Sequence, residues 1–599
     1  MEASTTAPRR GVEAATVAEA FRLTAERHRD AVAVRTKDDE IAWTWGELRE
    51  RVDALAAGLA ALGLRKGDTI ALQLGNRPEF HLADLAAIMV GATPFSVYLT
   101  YAPNQIEYVV QDAGARIIVT ETQFLDNVLE ARKALPGLEH VIVVDADGGL
   151  PEGTMALADV TSDEPFDVET AIAALEPEDV LTLIYTSGTT GPPKGVELAH
   201  RNLLSAVHGI EEIVQFPEGA RVISWLPNAH IAERAAHHYL PIVFGFQVTC
   251  CPNPREIVSF LPGVRPQWFF AVPRIWEKLK AGLEAMVAGQ PPEEQERTKA
   301  ALADALQKVR LEQAGEPVPE DLAARVAAAD EALFSKLRAM LGLDEVVAIN
   351  VGAAPTPVEV LEFFHAIGLP LAELWGMSET CGGGAVNRPD RIKIGTVGQA
   401  TPGAELSLGE DGELLIRGDL VMLRYRGMPD KTAEALDADG WLHTGDIATI
   451  DDEGYVTIVD RKKEIIINAA GKNMSPANIE ATIKTSSPLI GNAVCIGDAK
   501  PYNTALIVLD ADFAPMWAQQ QGIEGATLEE LARDERVRAA VQEGIDAANA
   551  KLARVEQIKK FTIVEGDWLP GGDELTPTMK LKRRPIGEKY QAAIDAMYA

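Results

Sequence analysis

Residues 185–196 read YTSGTTGPPKGV, directly after the apolar run 180–184. Glycines at 188, 191 and 195 let backbone N–H groups turn toward a ligand without a side chain in the way. Consecutive N–H groups in such a loop form an anion-binding concavity. Thr186, Ser187, Thr189 and Thr190 add hydroxyl donors, and Lys194 adds a mobile cation. The guest this chemistry suits is a polyphosphate. The spacing is not that of the P-loop, which needs Gly-Lys-Ser/Thr opening a helix. Here Pro193 precedes Lys194, Gly195 follows it, residues 196–199 read as a strand, and a helix begins only near Arg201. The segment is expected as a flap between two strands, with a solvated hairpin loop as the plain alternative.

Four other stretches hold groups that could work with it. LWGMSET (374–380) follows a short strand and sets Glu379 beside hydroxyls and Trp375. GWLHTGD (440–446) ends in Asp446. VDRKKEIIINAAGKNMSP (459–476) puts Arg461, Lys462 and Lys463 beside an apolar strand, followed by Gly471. ELTPTMKLKRR (574–584) holds Lys580 in a polar, proline-marked loop. Taken singly, each has a simpler reading. Glu379 could cap a helix, Asp446 could sit in a turn, 461–463 could be a solvated face, and Lys580 could be one exposed lysine among several.

The elements that must position these groups alternate through the first half. Thr44 and Glu47 have capping-box spacing before LRERVDALAAGLAALG, whose apolar residues recur at three and four. Strands at DTIALQL, TPFSV, RIIVT and HVIVVD are separated by helices at PEFHLADLAAIMVGA and QIEYVVQDAG. That rhythm predicts a mostly parallel sheet covered on both faces, with ligands at the carboxyl ends of its strands. Residues 277–343 read as a helical excursion on the surface. The α/β pattern resumes at EVVAINVGAAP, 395–468 becomes strand-rich with turns at EDGE, DADG and DDEG, and the last hundred or so residues read as a compact α+β unit.

The whole chain narrows the class. At 599 residues two or more domains are expected. Hydrophobic content of 47% with 24% charged residues is that of a globular protein. A net charge of −33 argues against a general nucleic-acid binder, which needs a basic face. Cys250, Cys251, Cys381 and Cys495 show no metal-ligand spacing and are expected as reduced, partly buried thiols of a cytosolic protein. No signal peptide and no apolar run of bilayer length is read.

In their order along the chain, the 185–196 loop, VGAAP, WGMSET, TGD, DRKKEIII and LTPTMK resemble the motifs of the adenylate-forming superfamily of acyl-CoA synthetases, luciferases and adenylation domains. The resemblance runs from about Ala18 to Tyr590. LPNAHIAER (226–234), the helical excursion and LTPTMKLKRR are most similar to bacterial long-chain fatty-acid–CoA ligases. The resemblance implies an α/β fold, with a large N-terminal adenylation domain of α/β layers (1–462) that includes a β-rich part at 395–462. A small mobile α+β C-terminal domain (463–599) follows.

The implied reaction joins a carboxylate to AMP from ATP, releases pyrophosphate, and passes the acyl group to a thiol, usually that of CoA. By resemblance, Thr186, Ser187, Gly188, Thr189, Thr190, Gly191 and Lys194 hold the β- and γ-phosphates. Thr186 and Glu379 match the Mg²⁺ positions, and hard oxygen ligands suit that ion. Gly352, Ala353 and Ala354 match a wall beside adenine, and Trp375 the aromatic that packs on it. Gly376, Met377 and Ser378 continue the nucleotide site, Ser378 beside the α-phosphate. Asp446 and Arg461 match the ribose partners. Lys580 matches the lysine that reaches both reacting anions, with Lys582 the neighbouring alternative. Lys463 matches the hinge, and Gly471 the loop of the thioester-forming state. His230 matches a histidine at the junction of acyl pocket and nucleotide, expected to orient and not to transfer protons. An aromatic that gates the acyl tunnel in some members is replaced here by Arg234, with Trp225 as the candidate substitute.

The expected activity is long-chain fatty-acid–CoA ligation with ATP, CoA and a long-chain fatty acid as partners, and Mg²⁺ as cofactor. The alternatives keep adenylation but change the acceptor to a carrier-protein thiol, or the acid to a medium-chain or aryl carboxylate. No carrier-like segment follows the last motif. The expected location is cytoplasmic, with peripheral contact at the inner face of the membrane allowed.

Overall fold

The computed structural model describes residues 9–186, 192–469 and 472–599. Among these, one sheet runs through eight strands, in the order Arg424–Tyr425, Lys194–Ala199, Val180–Thr186, Thr93–Ser96, Thr69–Gln73, Ile117–Thr120, His140–Val143 and Thr154–Ala156. From Val180–Thr186 onward the pairing is parallel. Its inner strands, such as Thr69–Gln73, are buried at every position, which the apolar run of each strand allows. The helices Trp45–Ala61 and Pro78–Val90 pack against each other on it. The first begins with the expected reciprocal cap: Thr44 Oγ1 accepts from Glu47 N, and Glu47 accepts from Thr44 N.

A second sheet orders Trp268–Ala271, Ala348–Val351, Ala372–Gly376, Gly384–Val386 and Gln399–Ala400. It is parallel for the first three and antiparallel after them. The helical excursion starts at Pro273, four residues before the expected 277, because proline is accommodated in a helix's first turn. It then runs through Pro292–Gln313, Glu320–Ala329 and Ser335–Leu341. Ala305 and Val309 bury one face of Pro292–Gln313, so that helix is only half a surface feature.

The β-rich part is an antiparallel sheet of Ala404–Leu408, Glu413–Gly418, Leu442–Ile450 and Val456–Arg461, with hairpin turns at 409–412 and 451–454. The third expected turn, 437–440, follows a short helix, Pro429–Ala435, that the strand-rich reading missed. In the C-terminal part, Ile490–Ile496 and Asn503–Leu509 pair antiparallel and Ile558–Ile563 joins in parallel. Ile479, Ile483, Val537, Val541 and Ile545 fill one face of this sheet; Ile586, Ile594 and Met597 fill the other. These two apolar clusters contain no residue before Ile466. All four cysteines are free and fully buried, deeper than expected. Burial pushes their thiols up, Cys251 to about 12, so they are unreactive packing groups.

Candidate active site

The strand Val180–Thr186 turns back as Lys194–Ala199, with Thr186 opposite Lys194. The return strand thus starts two residues before the expected 196, and the helix follows at His200. Ser187, Gly188, Thr189, Thr190 and Gly191 lie outside the described residues, as does Gly471. Thr186 Oγ1 donates to the Lys194 carbonyl at 3.5 Å. Arg424–Tyr425 pairs with the other edge of the return strand, Tyr425 opposite Val196. Lys194 Nζ stands 3.7 Å over the Tyr425 ring, and the Tyr425 hydroxyl donates to Glu379 Oε1 at 2.7 Å. Burial lowers the Lys194 ammonium, Glu379 opposes that, and Lys463 adds to it. Burial and the Glu379 charge push the Tyr425 phenol well up, so it stays a donor.

Glu379 sits in the one-turn helix Ser378–Thr380 that leaves the strand Ala372–Gly376. The turn is held by Thr380 Oγ1, which accepts from Met377 N at 3.1 Å and donates to the Gly383 carbonyl. Gly376 is required here because a Cβ would run into the Gly382 carbonyl oxygen. Gly376→Ala is expected to cost about 1–3 kcal/mol of stability through overpacking and to slow nucleotide chemistry by displacing Glu379. A thermal midpoint equal to wild type would contradict that packing account.

Trp375 precedes Gly376 and lays its ring over Gly384. Its indole N–H donates to Asp446 Oδ2 at 2.8 Å. Arg461 Nε reaches Asp446 Oδ1 at 3.0 Å, the two residues facing each other across the Leu442–Ile450 and Val456–Arg461 hairpin. Asp446 is 5% exposed. Gly352 is buried with its backbone against Leu374, and Ala353 and Ala354 are exposed beyond it. Ala353 adopts φ +69°, a left-handed strain just after the strand Ala348–Val351.

Lys580 arrives from the far end of the chain on a tight turn. Its N–H donates to Thr576 Oγ1 at 3.0 Å, and its carbonyl accepts from Thr576 N at 2.8 Å. Lys580 is exposed at the surface, yet surrounding protein takes away part of the water around its ammonium. That desolvation lowers its ammonium; Arg461 adds to the effect, and Asp446, Glu379 and Glu464 oppose it. Lys582 points elsewhere, donating to the Gly572 carbonyl at 2.7 Å. Ion pairs seat the C-terminal part in this pose: Arg274 with Asp510, Lys278 with Asp512 at 2.7 Å, and Lys551 with Glu359 at 3.0 Å. Lys462 Nζ is tied back to Asp411 and Glu413 at 2.5 and 3.0 Å, and Lys463 next to it is exposed.

His230 caps a short helical segment, its Nδ1 accepting from Ala232 N at 3.2 Å. Burial, and then the Lys580 charge, push the imidazole down to about 4. The neutral ring with Nδ1 as acceptor carries its proton on Nε2. A neutral donor fits orientation better than proton transfer. Because the folded value lies below the unfolded 6.5, the stability this residue adds is full above pH 6.5 and is lost as pH falls toward 4. The pH–rate profiles of wild type and His230→Gln are expected to keep the same shape between pH 5 and 8; loss of an ionisation near 6.5 in the variant would contradict a neutral ring.

Several residues that shape this region gave no sequence signal. Tyr425 lies outside the quoted motifs. Glu373, on the strand before Trp375, is pushed up to about 7 by burial and accepts from Thr356 N at 3.4 Å. Arg234 is not a gate. It is fully buried, paired with Asp84, and donates to Ser96 Oγ at 2.8 Å; His238 Nε2 bonds the other Asp84 oxygen at 2.9 Å. Next to it Glu233 accepts from Leu226 N and Asn76 Nδ2, pinning the segment that carries His230. Trp225 is packed against Phe269 with its N–H on the Phe270 carbonyl, so it is a core residue in this structure.

Two lysines, Lys194 and Lys580, two buried carboxylates, Glu379 and Asp446, and the neutral imidazole of His230 are linked by electrostatic proximity, Lys194 to Glu379 and Lys580 to Glu379, Asp446 and His230. Among the described residues no group of three or more His, Cys, Asp or Glu could hold a metal unaided. Glu379 nonetheless fits a Mg²⁺ carried by phosphates. Its Oε2 takes no protein hydrogen bond among the described residues, and such ions use one or two carboxylates with substrate phosphates and water.

These features define a nucleotide-activating enzyme, and the comparisons agree. A model of the AMP-binding enzymes matches residues 21–426, and one of the AMP-binding enzyme C-terminal domain matches 463–599. The chain belongs to the AMP-binding enzyme family. FadD11 of Mycobacterium tuberculosis, provisionally named a fatty-acid–CoA ligase, is 51% identical over 75% of this chain and 79% of its own length. FadD15 of the same species, a long-chain-fatty-acid–CoA ligase, is 34% identical over 93% of this chain and 92% of its own. The solved O-succinylbenzoate CoA synthetase of Bacillus subtilis, in complex with ATP and magnesium ion, is 20% identical. It aligns over 94% of this chain and 98% of its own, with a TM-score of 0.67, a likeness of fold.

Proposed function

We propose that the chain is an AMP-forming acid–thiol ligase that activates a long-chain fatty acid with ATP and transfers the acyl group to CoA. The observation that carries this is the position of Lys580. A lysine from the C-terminal part stands within electrostatic reach of Asp446, Arg461, Glu379 and His230 from the preceding part. The names of the two mycobacterial relatives support the fatty acid and CoA.

In the first half-reaction a carboxylate oxygen attacks the α-phosphorus, the bond from that phosphorus to the bridging oxygen breaks, and pyrophosphate leaves. Lys580 holds the two approaching anions together, a charge already in place before reaction. Lys194 and the hydroxyl of Thr186 face the departing pyrophosphate. Asp446 and Arg461 hold the ribose, and His230 Nε2–H orients the carboxylate. Thr186 and Glu379 would hold Mg²⁺, which supplies charge neutralisation on the phosphates. In the second half-reaction the CoA sulfur attacks the acyl carbon, the acyl–oxygen bond breaks, AMP leaves with that oxygen, and the thiol proton is released.

The first step acts at the α-phosphorus and the second at the acyl carbon next to it, so in this reading Lys580 withdraws between them to clear the path of the thiol. Lys463 is the proposed pivot between domains at 1–462 and 463–599, since it follows the anchored Lys462 and is itself exposed. Gly471 is proposed for the loop that then faces the thiol. A long-chain substrate partitions into membranes, so peripheral contact at the inner face of the membrane belongs to this reading; no helix among the described residues is long and apolar enough to cross one. The test is AMP formation with ATP, Mg²⁺, CoA and acids from acetate to stearate. AMP and acyl-CoA from the long acids alone are expected; preference for acetate or an aryl acid would reject the long-chain assignment.

A further inference from the structure

The carboxylate of Asp446 is held from both sides. Trp375 Nε1–H occupies one site on Oδ2 at 2.8 Å, and Arg461 Nε occupies one on Oδ1 at 3.0 Å. The backbone is fixed as well, Asp446 N donating to Thr444 Oγ1 at 3.1 Å. Trp375 has little freedom, because it is 8% exposed and its ring lies on Gly384, where any Cβ would collide with it. Each carboxylate oxygen offers about two lone-pair sites. One on each is taken, and one on each is left. A vicinal diol has two hydroxyls to donate.

We propose that Trp375 is a positioning residue for ribose recognition: its indole N–H fixes Asp446 so that the two remaining lone pairs face the 2′- and 3′-hydroxyls of ATP. This rests on the ribose reading of Asp446 and goes beyond an aromatic that packs on adenine. Packing needs only a ring face, whereas the contact in the structure uses the ring edge. Tryptophan donates and cannot accept, so its bond orients Oδ2 without presenting a competing acceptor to the diol.

The experiment measures acid-dependent pyrophosphate release without CoA, comparing KM and kcat for ATP and 2′-deoxy-ATP. Wild type is expected to prefer ATP, and Asp446→Ala is expected to abolish that preference. Trp375→Phe keeps the ring face and removes the N–H. It is expected to raise KM for ATP about tenfold, the worth of one hydrogen bond to a charged group, with kcat nearly unchanged. Because 2′-deoxy-ATP uses only one of the two lone pairs, its KM should rise less, so the ATP preference shrinks. If Trp375→Phe does not fold, benzothienylalanine at 375 keeps the ring shape with sulfur in place of the N–H, and gives the same readout. An unchanged ATP KM and preference in a folded variant, or tighter ATP binding because the indole had competed with ribose, overturns the proposal while leaving Asp446 in place. Equal handling of both nucleotides by wild type and Asp446→Ala removes the ribose reading, and this inference with it.

Discussion

Lys580→Ala should lose acyl-adenylate formation by about a thousandfold or more and retain thioester formation from supplied acyl-adenylate. Removing one preorganised stabilising group costs roughly 10²–10³ in rate, and Lys580 must also bring two anions together, which adds to the loss. The thiol step has one anion fewer and takes place with Lys580 withdrawn in the proposed alternation, so it should not feel the change. Desolvation lowers this ammonium and Arg461 adds to that, while Asp446, Glu379 and Glu464 hold its charge. The rate of the first step should therefore fall as pH rises through the lowered lysine value, and Lys580→Arg should move or remove that limb. Equal loss of both half-reactions in Lys580→Ala would reject its role, and a general collapse would show as a lowered thermal midpoint.

Asp446→Ala should weaken ATP binding by about 10²- to 10⁴-fold, since it removes two hydrogen bonds from a charged acceptor at about 1.5–3 kcal/mol each. It also leaves the Trp375 N–H without its partner, a further cost of about 1–3 kcal/mol to folding. Asp446→Asn separates the two effects, because the amide oxygen can still accept from the indole. Calorimetric ATP titration checks this, and unchanged affinity in folded Asp446→Ala would remove it from the ribose site.

Much of the frame was legible because local signals agreed with the fold. The Thr44–Glu47 cap, the alternating strands and helices, and the pairing of the two strands that flank the glycine-rich segment each follow from residue type and spacing. The site was legible only through motif order, since Glu379, Asp446 and Lys580 come from three distant segments. What sequence could not give were the partners that long-range packing supplies. Tyr425 meets Glu379 because a two-residue strand adds to the edge of Lys194–Ala199. Arg234 stands at the position where the resemblance places an aromatic gate, yet it is paired with Asp84, a residue 150 positions earlier on another helix. The edge-on bond from Trp375 to Asp446 is a matter of ring orientation, which the tryptophan itself does not encode.

The most direct test of the account is acid-dependent exchange of labelled pyrophosphate into ATP by the purified protein, with Mg²⁺ and without CoA. Exchange that requires the fatty acid, that ends when added CoA draws the adenylate to acyl-CoA and AMP, and that is missing in Lys580→Ala is the predicted result. ATP cleaved to ADP and phosphate, or exchange that proceeds without any acid, would contradict adenylate formation at this site.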